Sequence, residues 1–211
     1  KCKSKNFDNI VDIVNVDSFK DEKEQIIKLY EKSKRERVNN FSDGINLDYI
    51  PNVFLNIIEK HKNQIKDYLG DKVLYEKVTF FRNYNFDKRF SAFDIYSNIW
   101  HQDSHDGNKL LKIFLLMHDV DDDDGPLRWL DEENTKKNWS EIADRWSFKK
   151  LKKVNFFEKE NYLTGKTGTY CIIDTSRCAH RAGIPNIKRD IIQLVLYPSW
   201  RKSNERFEQR L

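Results

Sequence analysis

Two residues able to bind a metal stand two apart at His101 and Asp103, within the run Trp100-His101-Gln102-Asp103. An extended chain alternates its side chains between faces, so both would leave the same face and converge on one point. With a second imidazole supplied by another strand they make a 2-His-1-carboxylate triad, a donor set that holds iron(II) and leaves positions open for oxygen and substrate. The remaining histidines are His61, His105, His118 and His180. His61 falls on the apolar stripe of a helical segment with no second ligand one turn away, so it reads as a core-edge residue. His118 closes an apolar strand beside an acidic turn, and His105 runs on from Asp103 into the loop Asp106-Gly107-Asn108. His180 follows a strand-like segment, residues 170–174, by a short turn, and is the best candidate for the third ligand.

The elements that must position these residues are legible as changes of period. Ser18 with Asp21 reads as an N-cap, and Ile26, Ile27, Leu29 and Tyr30 form the stripe of a helix ending near Arg37. Pro51 suits the first turn of a second helix, in which Phe54, Ile57, Ile58, His61, Ile65, Tyr68 and Leu69 recur at helical spacing up to Gly70. Residues 39–49 read as a connecting loop. From Lys72 the pattern changes to aromatic and β-branched runs, with strands expected over residues 73–84, 93–103, 110–120, 169–174 and 191–197. Arg189 opens the last of these and shares a face with Ile191, Gln193, Val195 and Tyr197. Arg181 is the competing cation, and alternation turns it away from the side of His180. Residues 121–124, all aspartate, read as a solvated turn, because they lack the alternating ligand spacing of a calcium loop. The basic run Lys149, Lys150, Lys152 and Lys153 reads as a solvated face.

Helices do not alternate with strands, which disfavours a doubly wound α/β fold. The pattern is mainly β with N-terminal helices, closed as a sandwich or barrel. The simplest organisation is one domain over residues 1–211: a helical region (1–71) packed on a β core (72–200), with an insert at 127–163 and a tail at 201–211. Basic and acidic residues number 38 and 34, a net charge of +4, so the charges are mixed and no nucleic-acid partner is implied. No apolar run approaches the roughly 18 residues that span a bilayer, so no membrane partner is expected. The start, Lys1-Cys2-Lys3-Ser4-Lys5, does not read as a signal peptide. Cys2, Cys171 and Cys178 have no zinc spacing, and two of them fall in the expected core, which suits a reduced, cytoplasmic setting.

Beyond the triad, the sequence resembles the phytanoyl-CoA dioxygenase family of Fe(II)- and 2-oxoglutarate-dependent oxygenases over residues 75–199. The resemblance is carried by Asn98-Ile99-Trp100-His101-Gln102-Asp103, Leu111-Lys112-Ile113-Phe114-Leu115-Leu116, Asp119-Val120 with Gly125-Pro126, Gly165-Lys166-Thr167-Gly168-Thr169-Tyr170, Asp174-Thr175, and His180-Arg181-Ala182-Gly183. It implies a double-stranded β-helix, a jelly-roll, cupin-like barrel, with iron on His101, Asp103 and His180. It places the far carboxylate of 2-oxoglutarate on Arg189, a role that suits the planar fork of arginine. It makes Asn98 and Lys112 further co-substrate contacts. The implied reaction uses O2 to hydroxylate an aliphatic C–H bond of a small-molecule substrate, releasing succinate and CO2. The filled carboxylate position at Asp103 points to hydroxylation, since related halogenases vacate it.

The sequence departs from the family pattern at Ala182, where a small hydroxyl residue is common, and at Leu127-Arg128-Trp129-Leu130, where Pro-Gly-Ser-His is common. Trp129, Trp139 and Trp146, with the basic run, suggest a polar substrate. Two other readings use the same residues: a cupin-like metal enzyme that does without 2-oxoglutarate, and a non-catalytic jelly-roll domain that binds a sugar or an anion.

Overall fold

The first helix, α1 (Val16–Lys32), starts one turn earlier than Ser18 suggests. Asn15 is its N-cap, accepting from the backbone N–H groups of Asp17 and Ser18 at 3.0 and 3.4 Å. A computed structural model describes residues 6–33, 36–37, 42–75, 78–85, 98–103, 109–138, 158–199 and 207–210. The expected second helix is two, α2 (Asn52–Lys60) and α3 (Lys62–Leu69), joined at His61. The His61 ring reaches the Tyr170 hydroxyl on the sheet below at 2.8 Å, and the helical path bends there. A short helix, α4 (Glu132–Lys137), is capped by Asp131.

Among the described residues twelve strands follow from the alternating runs. They are β1 (Ile10–Ile13), β2 (Glu36–Arg37), β3 (Ser42–Asn46), β4 (Lys72–Tyr75), β5 (Thr79–Tyr84), β6 (Leu111–Leu116), β7 (Leu127–Trp129), β8 (Asn161–Leu163), β9 (Thr169–Ile173), β10 (His180–Ala182), β11 (Lys188–Pro198) and β12 (Phe207–Arg210). The long strand expected from residue 73 is divided into β4 and β5, and the loop expected over 39–49 contains β3. Of the strand expected over 93–103, residues 93–97 lie outside the described residues, and 98–103 form no strand beyond a single bridge at His101; the basic run at 149–153 lies outside the described residues.

The expected barrel is not what forms. Nine strands make one antiparallel sheet in the order β1-β9-β6-β11-β5-β3-β2, with β4 and β12 joined through β11, and a separate sheet has the order β10-β7-β8. Among the described residues neither sheet closes on itself or on the other. The reason lies at the edges: β1 on β9, and β3 with β2 on β5, extend the large sheet outward at both ends. The small sheet is built from strands of three residues, too short for a closing ladder.

Alternation gives the large sheet two unlike faces. Leu111, Ile113 and Leu115 of β6, Tyr170 and Ile172 of β9, and Ile192, Leu194 and Leu196 of β11 face α1, α2 and α3, where they meet Phe19, Ile26, Phe54, Ile57 and Ile65. The intervening Phe114, Leu116, Cys171, Ile173 and Ile191 face the small sheet and pack with Leu127, Trp129 and Leu163. Lys112 and Arg189 share this second face by the same alternation. The layers are thus helices, large sheet and small sheet, with polar residues admitted between the two sheets.

The small sheet is pinned by an approach of two backbones. A Cβ built on Gly183 would lie 2.6 Å from the carbonyl carbon of Gly125, and the Gly183 N–H donates to Pro126 O at 3.1 Å. Only glycine fits where β10 ends against the turn that leads into β7. Gly183→Ala is expected to lower the unfolding free energy by about 1–3 kcal/mol, read as a reduced midpoint in denaturant titration.

Candidate metal centre

The centre is built from His180, the first residue of β10. Its N–H donates to His101 O at 2.9 Å and its carbonyl accepts from His101 N–H at 3.1 Å. Residues that exchange both hydrogen bonds lie directly opposite and share a face. The two imidazoles accordingly stand together, ring centres 4.3 Å apart. Two residues on, Asp103 N–H donates to Thr175 O at 2.8 Å, which returns the carboxylate to the same side. His101, Asp103 and His180 are all buried, and one donor atom from each falls within 4.8 Å of the others.

The turn between β9 and β10 orients these ligands. Asp174 shapes it: the carboxylate accepts from Ser176 N–H at 2.9 Å and from Tyr68 Oη of α3, while the Asp174 carbonyl accepts from the N–H of Cys178 at 2.8 Å. The carbonyls of the same turn then face the centre. Thr175 O takes the Asp103 N–H, Arg177 O takes the Gln102 side-chain amide at 2.7 Å, and Cys178 O takes the Nδ1–H of His180 at 3.3 Å. His101 Nδ1–H donates to Ile99 O at 2.7 Å. With Nδ1 committed on both rings, each Nε2 presents its lone pair to a metal.

Electrostatics keep the donors in the forms that a metal needs. Burial alone would raise the Asp103 carboxyl, but the Lys112 ammonium, 2.7 Å from Oδ2, together with His180 and His101, holds it well below the usual carboxylate range. Burial, then the neighbouring His101, holds the His180 imidazole well below the usual histidine range. At neutral pH an anionic carboxylate and a neutral imidazole therefore face each other, with His180 Nε2 3.5 Å from Asp103 Oδ2. Two imidazole nitrogens and one carboxylate oxygen on one side of a point suit a divalent first-row metal with its other side open.

Arg189 is 2% exposed. One guanidinium nitrogen, Nη2, donates to the side-chain oxygen of Asn83, its cross-strand partner on β5, at 2.9 Å. Among the described residues Nε and Nη1 have no hydrogen-bond partner, and both are buried. Burial lowers the guanidinium to about 10, so it stays charged at neutral pH. This cation suits the carboxylate of a buried organic acid.

The other expected residues are distributed as follows. Lys112 spends its ammonium on Asp103. Asn98 accepts from Arg181 Nη2 at 3.1 Å, and Arg181 pairs with Arg128 on the face of β10 away from His180. His61 packs on Tyr170, and His118 Nε2 accepts the Asp190 N–H at 2.9 Å, so both serve the fold. His105, Trp139 and Trp146 lie outside the described residues. Sequence reasoning missed Asn83, Asp174 as the organiser of the turn, and the placement of Trp129 beside His180. Only the Asp174-Thr175 landmark hinted at any of them, since cross-strand register cannot be read from a single sequence.

No protein-family model matches the chain, and no curated protein sequence matches it. Solved structures do. The chain has the fold of non-haem alpha-ketoglutarate-dependent enzymes. The epimerase SnoN from nogalamycin biosynthesis, solved with Fe3+, alpha-ketoglutarate and nogalamycin RO, matches with a TM-score of 0.60 and 10% identity over 92% of this chain and 80% of that one. HygX from Streptomyces hygroscopicus, solved with nickel and 2-oxoglutarate, matches with a TM-score of 0.58 and 10% identity over 91% and 83%. EctD from S. alaskensis, in its apo form, matches with a TM-score of 0.57 and 16% identity over 93% and 75%. The likeness agrees with the resemblance read over residues 75–199.

The protein is expected to bind one divalent transition metal per chain. In a competition titration with a metal indicator, His180→Ala should abolish tight binding. Lys112→Met should weaken it about 10- to 100-fold, because the carboxylate loses the partner that orients it.

Proposed function

We propose that the chain is an Fe(II)- and 2-oxoglutarate-dependent dioxygenase that hydroxylates an aliphatic C–H bond of a small, polar substrate. One observation carries the reading: a buried His-Asp-His donor set and a buried guanidinium with two unpartnered nitrogens lie between the same two sheets. A metal site alone would need no such cation. A buried charge lacking a counter-ion is costly, and a ligand anion relieves that cost. SnoN, solved with Fe3+ and alpha-ketoglutarate, and HygX, solved with nickel and 2-oxoglutarate, support the same pairing.

When bound, iron(II) with 2-oxoglutarate supplies the redox chemistry: O2 is consumed, the co-substrate leaves as succinate and CO2, and a substrate C–H becomes C–OH. The residues of this chain hold and orient. His101 and His180 offer neutral Nε2 donors, and Asp103 supplies the anionic oxygen. Lys112 fixes the second half of that carboxylate through its ion pair. Arg189, steadied by Asn83, takes the far carboxylate of the co-substrate in this reading. Phe114, Leu116 and Ile191 form an apolar wall between the sheets that keeps bulk water from the reacting centre.

Asn98 is held by Arg181, which sets it as an outer support of the segment leading to His101. Among the described residues no helix is long and apolar enough to cross a membrane. Among the described residues Cys171 and Cys178 are buried free thiols, which fits a reducing, cytoplasmic setting.

The test is succinate formation by the iron(II)-loaded protein supplied with 2-oxoglutarate and O2. Turnover is expected in the wild type and loss of turnover in Asp103→Ala. Arg189→Leu should retain metal binding and raise the 2-oxoglutarate requirement by a factor of about 100 or more, as expected for a charged hydrogen-bonding pair. A wild-type protein that binds iron yet neither binds nor consumes 2-oxoglutarate would refute the proposal.

A further inference from the structure

Trp129 occupies a position that packing alone does not explain. It ends β7 and stands directly across from His180 on β10. The flanking pair Leu130 and Ala179 is hydrogen-bonded, Leu130 N–H donating to Ala179 O at 2.9 Å, so Trp129 and His180 form the adjoining non-hydrogen-bonded pair, the kind whose side chains come closest. His180 is in turn hydrogen-bonded to His101 on its other side. Three rings, His101, His180 and Trp129, therefore stand in a row on one face of the small sheet, and that face looks at the large sheet.

The indole packs against the face of the large sheet that carries Arg189. Trp129 packs among Phe114, Leu116 and Ile191, with Phe81 at their edge. Ile191 is two residues along β11 from Arg189 on the same face. Phe81 lies opposite Ile191, as Asn83 lies opposite Arg189. In the dioxygenase reading, a dicarboxylate reaching from the donor triad to Arg189 would lie over this face of the large sheet, which Trp129 packs against. Trp129 is 2% exposed, yet its Nε1–H has no hydrogen-bond partner. A buried donor left unsatisfied is costly, and an N–H can be satisfied only by an acceptor. The nearby Arg189 has the same need, and both are donors, so one anionic ligand can answer both.

We propose that the Trp129 indole N–H is a co-substrate donor: it hydrogen-bonds a carboxylate oxygen of 2-oxoglutarate and orients the molecule between the triad and Arg189. This rests on the dioxygenase reading above. It adds a specificity element, because a neutral donor on the flank of the corridor selects for a ligand with an acceptor at that point, where an apolar wall would accept any chain of suitable length.

The test uses the full chain loaded with zinc, which is diamagnetic and redox-silent, so that binding is read without turnover. In Trp129→Phe the ring bulk is largely kept and the donor is lost. Calorimetric titration should show 2-oxoglutarate bound about 10- to 100-fold more weakly than by wild type, with metal affinity unchanged. On 15N-labelled wild type, the indole resonance absent from the variant should move on addition of 2-oxoglutarate further than those of the other tryptophans. This last measurement needs only assignment of that resonance, and can be made by elimination if the variant fails to fold. Wild-type affinity in Trp129→Phe or an unmoved indole resonance each overturns the inference while leaving the dioxygenase reading intact. Absence of 2-oxoglutarate binding in the wild type would overturn both.

Discussion

The reciprocal pair of backbone hydrogen bonds between His101 and His180 is the constraint on which the rest of the site depends. These residues are far apart in the chain, and nothing in their side chains would draw two imidazoles together before a metal binds. The backbone does so instead, by making each residue the other's partner in a two-residue bridge. Once that bridge exists, alternation brings Asp103 back to the same side, and the turn shaped by Asp174 supplies the carbonyls that hold Asp103, Gln102 and His180 in place. The close approach of Gly125 and Gly183 fixes the other end of β10. Donor geometry is therefore set largely by main-chain bonding, which is stiffer than side-chain packing and does not require the metal to assemble it.

The contrast between two arginines on neighbouring strands shows how the large sheet separates structure from function. Arg82 on β5 faces the helices and meets Asp190 through two hydrogen bonds of 2.6 Å, with its guanidinium 4.6 Å from the ring centre of Tyr30. The hydrogen bond to Asp190 raises its already high pKa further. Arg189, one residue before Asp190, faces the opposite way; among the described residues its one side-chain hydrogen bond is to the neutral Asn83, and burial, partly offset by the charge of Asp124, pulls it down to about 10. Both cations are largely removed from water. One has its counter-ion built into the fold, and the other has hydrogen-bonding positions left for something that arrives. Strand alternation is what permits two such different fates for Arg189 and Asp190 at adjacent positions.

How much of this was legible in the sequence follows from which contacts are local. The donor pair His101 and Asp103 could be read from spacing, because strand geometry relates residues two apart without reference to the rest of the chain. The facing of Arg189 with Ile191, and its opposition to Asp190, could be read for the same reason. Asn83 as the support of Arg189 could not, because the register of β5 on β11 is set by the whole sheet. The barrel was misjudged at its edges: β1 (Ile-Val-Asp-Ile) has strand-forming residues but only four of them, too few to show a period, and β3 lies in a Ser-Asp-Gly run that reads as a turn. Each is stabilised by the sheet it joins, a tertiary gain that local propensity does not contain. Trp129 was counted with the loop tryptophans because a strand of three residues, Leu127–Trp129, is too short to show a period.

The polar groups left unpartnered in the core connect stability to ligand binding. Arg189 Nε and Nη1, Trp129 Nε1 and Thr175 Oγ1 are all buried without a hydrogen-bond partner, and all belong to residues on or beside the elements that carry the triad. Such groups are rare in folded proteins, and each costs about 1–3 kcal/mol when unsatisfied. A fold selected for stability alone would have replaced them with apolar residues, as it has at Phe114, Leu116 and Ile191 around them. Their retention makes the ligand-free protein less stable than its packing would allow, and makes a ligand that satisfies several of them at once bind with the recovered free energy. By linkage, that ligand must also stabilise the fold, in proportion to the logarithm of its concentration over its dissociation constant. The cation and donors between the two sheets thus tie folding of the β core to occupancy of the site, and the same side chains that weaken the empty core define what can fill it.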